Sequence, residues 1–276
     1  MIIDAHQHFW NYDPSKHAWI DDSMQAIRKD FTPAELQHVY ERNHIDGCIT
    51  VQVDQTEEET IGLIENAKKH SFIKGIVGWT DFQSEKIDER LDFFSQFPIV
   101  KGFRHIVQSE PYELLYDQNF RRGVSVLQKH NYTYDILVYP HQLKAAIQFA
   151  AAFPNQRFAL DHMAKPYIKD KLVDEWKKDI NQLAELDNVH CKISGLVTES
   201  NWQHHSYNDF IPYLEIAMEA FGISRLMFGS DWPVCLVADS YENVLSIVNE
   251  FLRSFSKEEK EKFFALNAKE FYHLNI

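Results

Sequence analysis

Short runs of β-branched and aromatic residues alternate along the chain with longer stretches in which apolar positions return every three or four residues. The short runs read as strands covered on both faces, the longer stretches as helices with one apolar stripe. Strands are predicted at 2–8, 47–53, 73–80, 99–107, 133–138, 157–162, 189–195 and 225–231. Helices are predicted near 32–44, 57–70, 84–96, 119–131, 142–153, 171–187, 206–222 and 240–256, with one extra helix near 257–273. Four helix starts carry a capping box, a hydroxyl at the cap and a carboxylate three residues on. These are Thr32 with Glu35, Thr56 with Glu59, Ser206 with Asp209 and Ser256 with Glu259, and Pro33 adds a favourable first helical residue.

Eight strand–helix units within 276 residues match a closed barrel, whereas doubly wound sheets usually have fewer strands. The expected fold is α/β, a (β/α)8 TIM barrel that spans 1–276 as a single domain and ends in an extra helix. No Gly/Ser linker, low-complexity tract or repeat marks a boundary. Active sites of such barrels lie at the C-terminal ends of the strands, so polar residues there come first.

The first strand ends Asp4-Ala5-His6-Gln7-His8, and a period of two puts both histidines on one face. Two imidazoles so placed can hold a divalent cation, or simply hydrogen-bond in a polar barrel mouth. The sixth strand ends in Asp161-His162 and the eighth in Gly229-Ser230-Asp231-Trp232-Pro233, which bring an imidazole and a carboxylate to the same rim. Asp231 also fits a turn, given its Gly and Pro neighbours. The fourth strand, Val100-Lys101-Gly102-Phe103-Arg104-His105, is rich in charge for a buried strand, and its cations need partners or a substrate. Arg104 and His105 point to opposite faces by parity, so both reach a substrate only through a twist or at the strand end. Trp10, Trp19, Trp79, Tyr139, Trp202 and Trp232 follow strand ends and can wall a pocket for a sugar-like ring.

Composition narrows the partners. With 41 acidic against 28 basic residues the net charge is −13, which repels phosphate backbones and anionic membranes. A small molecule is therefore expected, with no nucleic acid and no membrane. No stretch approaches the roughly 20 apolar residues of a membrane span, and the N-terminus lacks a signal peptide's basic and apolar regions. A cytoplasmic location is expected. Cys48, Cys191 and Cys235 lack metal or redox spacing and read as small core residues. The chain has no G-x-S-x-G elbow, H-E-x-x-H helix, Walker A loop or G-x-G-x-x-G, which removes support for serine hydrolase, zincin and nucleotide-dependent readings.

Taken in order, Asp4-Ala5-His6-Gln7-His8-Phe9-Trp10, Gly102-Phe103-Arg104-His105, Leu160-Asp161-His162 with Lys165-Pro166, Cys191-Lys192-Ile193-Ser194-Gly195-Leu196 and Gly229-Ser230-Asp231-Trp232-Pro233 resemble the amidohydrolase superfamily, in its sugar lactonase branch. The resemblance runs end to end. It implies a carboxylic ester hydrolase of carbohydrate metabolism that opens an aldonolactone of the L-fucono or L-rhamnono type. It also implies a catalytic cluster of His6, His8, His162 and Asp231, with Trp10, Arg104 and His105 meeting the substrate. Trp19, Lys101 and Trp232 complete the expected substrate-binding set. His6, His8 and Asp231 would hold one divalent cation, zinc, if the site uses a metal. Metal-dependent members usually add a histidine from the fifth strand and 133–138 has none, which weighs against a two-metal site; some lactonases of this branch work without metal.

Lactone hydrolysis requires an activated water, a polarised carbonyl and a proton for the departing ring oxygen. Asp231 is the expected base. The alternative in this superfamily is a metal-dependent decarboxylase of an aromatic or dicarboxylic acid. A non-catalytic sugar-binding barrel would keep the aromatic wall without needing Asp231.

Overall fold

A computed structural model describes residues 1–276. Eight parallel strands, β1 (Ile3–Gln7), β2 (Gly47–Val51), β3 (Ile73–Gly78), β4 (Val100–His105), β5 (Thr133–Ile136), β6 (Phe158–Leu160), β7 (Val189–Ile193) and β8 (Leu226–Phe228), pair each with the next. The helices between and after them are α1 (Pro33–Asn43), α2 (Glu57–Lys69), α3 (Ile87–Ser95), α4 (Gln118–Val126), α5 (Leu143–Ala151), α6 (Asp174–Ala184), α7 (Tyr207–Phe221) and α8 (Tyr241–Phe251). This is the (β/α)8 TIM barrel that the alternation of short and long segments predicts.

The seam between β8 and β1 closes just beyond the strand ends. The Asp231 N–H donates to the His6 carbonyl at 2.8 Å, and the His8 N–H donates to the Trp232 carbonyl at 2.7 Å. Below them Asp4 ties the seam to the outer helices. Its Oδ1 accepts from the Ser230 N–H at 2.9 Å, and its Oδ2 accepts from the hydroxyls of Tyr40 on α1 and Tyr241 on α8. A register shift between Asp4 and Gln7 re-aims β1. Ile3 and Ala5 pack in the inner core, while His6 also reaches inward, to Arg104 and Lys192.

The large core lies between sheet and helices, and a smaller one plugs the bottom of the barrel, where Ile49, Val51, Val77 and Met227 meet Phe271, Tyr272 and Leu274. The extra helix supplies that plug, but not as one α-helix: α9 (Lys257–Glu261) and α10 (Asn267–Phe271) flank a π-helical turn at Lys262–Leu266. Three consecutive residues there, Phe263, Phe264 and Ala265, are buried, more than an α-helical stripe can point one way, and the wider turn accommodates them. The capping box at Ser256 forms with both reciprocal bonds, whereas at Ser206 the Asp209 carboxylate accepts from the Ser206 N–H and hydroxyl and the Asp209 N–H donates to the Ser206 carbonyl. At Thr56 only the hydroxyl caps, because Glu59 turns to the Val53 and Asp54 N–H groups. Thr32 makes no side-chain cap, and Glu35 pairs with Lys29 at 2.7 Å.

Burial lifts the Asp4 carboxyl from 3.8 to about 6, against the pull of its hydrogen bonds from Ser230, His6 and Tyr40. A carboxyl whose folded value is raised stabilises the fold most when protonated, so its contribution is present below pH ~4 and is lost as pH rises through about 6. The thermal midpoint of the wild type should therefore fall relative to that of Asp4→Asn across this window. A constant difference between the two proteins would contradict the placement of Asp4.

Candidate active site

The side chains at the barrel mouth come from five strands. His6 and His8 end β1, Arg104 lies near the end of β4, Asp161 and His162 follow β6, Lys192 is on β7, and Asp231 follows β8. The chain turns sharply after β6: His162, Met163, Ala164 and Lys165 all have positive φ, between 52° and 59°. Left-handed backbone costs a non-glycine residue about 1 kcal/mol or more, and four such residues in succession return His162 to the mouth. Asp231, also left-handed at φ 57°, is thrown over the same opening.

His8 donates from Nδ1 to the Val51 carbonyl at 2.8 Å, since a carbonyl can only accept, and this turns its Nε2 into the cluster. That Nε2 lies 3.2 Å from His6 Nε2 and 3.3 Å from Asp231 Oδ1. His162 Nε2 is 3.9 Å from the same carboxylate oxygen, and its Nδ1 is 2.8 Å from the Ser194 hydroxyl. Burial pushes the Asp231 carboxyl up, but His162 and the His8 hydrogen bond outweigh it and hold the group below the usual carboxylate range. Burial drives His162 and His6 well below the ordinary imidazole value, so both are neutral at pH 7.

Beneath this cluster lies a fully buried ionic network. Arg104 Nη1 donates to Asp161 Oδ2 at 3.0 Å, Lys192 Nζ stands 3.0 Å from Asp161 Oδ1, and Lys192 also donates to Asp135 on β5. Asp135 accepts from the Tyr272 hydroxyl at 3.0 Å, which links the mouth to the C-terminal plug. Two cations and two carboxylates balance. Asp161 and Lys192 lie in segments that carry the family resemblance, but their roles, like that of Asp135, escape a reading by motif because each is one charged residue in a different strand or strand end, and only barrel closure makes them neighbours.

The mouth opens on a cavity of about 290 Å³. Of the residues expected there, His8, His162, Asp231, Arg104, Trp10 and Trp19 line it. His6 stands behind them, fully buried. Lys165, Tyr139, Gln108 and Thr198 join the lining, and of these Tyr139 and the Lys165-Pro166 segment stood out in the sequence. Trp10 is fixed by its indole N–H, which donates to the Lys29 carbonyl at 2.9 Å, and Trp19, 42% exposed, forms the rim.

Three expected substrate contacts do not reach the cavity. Lys101 lies three residues before Arg104, about 10 Å further down the strand at ~3.3 Å per residue, and its Nζ donates to the His273 carbonyl at the opposite end of the barrel. His105 shares the outward face of Phe103, packs against Phe120 and accepts from the Trp79 indole at 3.2 Å. Trp232 is 2% exposed and packs edge-on against Phe9 and Phe31.

His6 Nε2, His8 Nε2 and Asp231 Oδ1 are 3.2, 3.3 and 4.0 Å apart. The ligand atoms of a tetrahedral zinc with bonds of ~2.0–2.1 Å are about 3.4 Å apart, so these three fit one cation. With Nδ1 held by the Val51 carbonyl, Nε2 is the atom that His8 could offer to a metal.

The amidohydrolase family model matches residues 3–274. The chain belongs to this family. Among the relatives of this amidohydrolase, an L-fucono-1,5-lactonase of Burkholderia multivorans is 36% identical over 265 residues, covering 92% of this chain and 89% of the relative. A second L-fucono-1,5-lactonase, from Burkholderia ambifaria, is 33% identical over 240 residues, covering 87% and 82%. The amidohydrolase also superimposes on a crystal structure of a Burkholderia multivorans amidohydrolase with bound zinc, at a TM-score of 0.96, 36% identity and 99% coverage of both chains.

Gly195 and Gly222 both have φ 66°, but a Cβ on Gly195 would stand 2.9 Å from His162 Nδ1, whereas one on Gly222 would meet nothing within 4 Å. Alanine at Gly222, where ψ is 158° and the backbone lies in a region that essentially only glycine enters, is expected to cost about 1–3 kcal/mol of strain. Alanine at Gly195 should cost a further ~1–3 kcal/mol from crowding, measured by urea denaturation. Equal losses would mean that His162 is not packed as described.

Proposed function

We propose that this amidohydrolase opens a sugar-acid lactone by water attack, with a six-membered aldonolactone of the L-fucono type as the first substrate to test. The observation that carries the reading is an ionised carboxylate, Asp231, lining a small cavity together with the imidazoles of His8 and His162 and the guanidinium of Arg104. The L-fucono-1,5-lactonase relatives support the substrate class. A lining that combines polar Gln108 and Thr198 with Trp10 and Trp19 suits a ring with hydroxyls on its edge and apolar faces.

In this reading the lactone carbonyl faces Arg104 and His162. Asp231 takes a proton from water as its oxygen bonds to the carbonyl carbon, and the N–H groups of Arg104 and His162 stabilise the negative charge that develops on the carbonyl oxygen. The intermediate collapses with cleavage of the bond from carbonyl carbon to ring oxygen. Asp231 returns its proton to that oxygen and leaves a hydroxy acid. A divalent cation held by His6, His8 and Asp231 would supply Lewis-acid polarisation of the carbonyl. The decarboxylase reading draws only on the shared fold.

The test is an assay of purified protein on a panel of aldonolactones in weak buffer with a pH indicator, corrected for spontaneous hydrolysis, with and without prior chelation. Wild type should acidify the medium, and Asp231→Asn should lose about 10²–10⁴-fold in kcat at unchanged thermal midpoint, since asparagine tolerates left-handed backbone. Lys101→Met should leave kcat/KM within about twofold, as expected of a surface substitution away from the site. Undiminished turnover in Asp231→Asn would sink the assignment of the base, and no acid from any lactone would sink the reaction class.

A further inference from the structure

Three residues that line the cavity carry polar groups with no hydrogen-bond partner in the protein. Thr198 Oγ1 and one end of the Gln108 carboxamide, Oε1, are buried and unpaired. An unmade hydrogen bond on a buried polar atom is costly, so such atoms around a cavity mark where the polar groups of a ligand go. The third residue is Lys165. Its backbone is fixed in the left-handed turn after β6, with φ 53° and its N–H donating to the His162 carbonyl at 2.8 Å. Its ammonium stands 5.5 Å over the Tyr139 ring and 3.8 Å from Glu199 Oε1, and the two charged side chains are 17% and 20% exposed. At 3.8 Å the carboxylate balances the charge of Lys165 but takes none of its three N–H groups. Glu199 is itself held in place, its N–H donating to the Gly195 carbonyl at 3.3 Å and its carbonyl accepting from the Lys169 N–H at 3.0 Å.

We propose that Lys165, Thr198 and Gln108 are the specificity-determining set that binds the hydroxyl groups of the sugar ring, and that Glu199 is a positioning residue that holds Lys165 at the cavity. The proposal rests on the reading of this cavity as a sugar lactone site and adds which residues select the ring. An ammonium only donates, whereas a hydroxyl and a carboxamide both donate and accept. The three together suit adjacent hydroxyls, each of which accepts one hydrogen bond and donates another. Glu199 weighs against a carboxylate on the ring. An anion drawn to Lys165 would also meet Glu199 and Asp231, two carboxylates against one ammonium, while Arg104 is already matched by Asp161. The favoured ring is therefore neutral and polyhydroxylated. A ring without the hydroxyls is penalised, because the buried polar groups of the site then stay unpaired.

The probe is a trihydroxylated δ-lactam, whose ring N–H replaces the ring oxygen of the lactone so that binding is read without turnover. Its Kd is compared by titration calorimetry with that of unsubstituted δ-valerolactam. Wild type should bind the hydroxylated ring about 100-fold more tightly, a preference of the kind a hydrogen-bonding site shows. Lys165→Met should cut that ratio about tenfold or more, the scale of one hydrogen bond to a charged group. Glu199→Gln should cut it about threefold and add nothing once Lys165 is replaced, because Glu199 acts through Lys165; a merely structural loss would add, and would weaken both lactams equally. Thr198→Val removes only a hydroxyl, should cut the ratio about fivefold, and carries the test if Lys165→Met does not fold. An unchanged ratio in these variants, no preference in the wild type, or tighter binding of a δ-lactam that bears a carboxylate would overturn the proposal. A protein that keeps the preference but opens no lactone would instead sink the reaction class alone.

Discussion

The balanced quartet of Arg104, Asp161, Lys192 and Asp135 is the constraint on which the rest of the site depends. All four side chains are withdrawn from water, and each charge is matched within hydrogen-bond reach. Removing one member would strand its partners, a loss typically of ~3–5 kcal/mol, whereas in the intact set each charge faces an opposite one. Four successive strands each contribute one member, so the network also fixes how β4 to β7 stand relative to one another at the mouth. The reactive groups rest on it: Asp161 carries Arg104 on one oxygen and faces His6 and Lys192 with the other.

From that base the site divides into a back and a front. His6 is walled in by charge and communicates only through its ring nitrogens. His8, His162, Asp231 and Arg104 line the cavity, where the proposed substrate would meet them. The opening itself is framed by the long connection between β1 and α1, which bears Trp10 and Trp19, and by the left-handed turn after β6, which bears Lys165. At the other end Tyr272 closes the network against Asp135, so the C-terminal segment serves both as the plug of the barrel and as the last hydrogen bond of the site.

Much of this was legible in the chain. The strands lie where β-branched runs predicted them, shorter at most ends because the last residues of each run have already left the ladder for the mouth. His6, His8, His162 and Asp231 converge as their positions at strand ends require. The errors share a cause, which is that position along a strand does not give depth or facing. Lys101 was grouped with Arg104 though it lies three residues further down the strand, and His105 was placed at the mouth though parity sends it outward. Trp232 looked like a pocket wall beside Asp231, but the left-handed turn at Asp231 sends the indole into the seam between Phe9 and Phe31. Asp135, Asp161 and Lys192 were out of reach for a different reason, since a pairing between distant strands leaves no local signature. The register shift in β1, which lets Ala5 and His6 both point inward, is equally silent in the sequence.

The proposed reaction is the attack of water, activated at Asp231, on the acyl carbon of a sugar lactone in this cavity. The most direct measurement is turnover of L-fucono-1,5-lactone in H₂¹⁸O, followed by mass spectrometry of the product and its fragments. One ¹⁸O in the carboxylate and none in the hydroxyl released from the ring is the expected result. Label in that hydroxyl, or release of carbon dioxide in place of a hydroxy acid, would contradict the account.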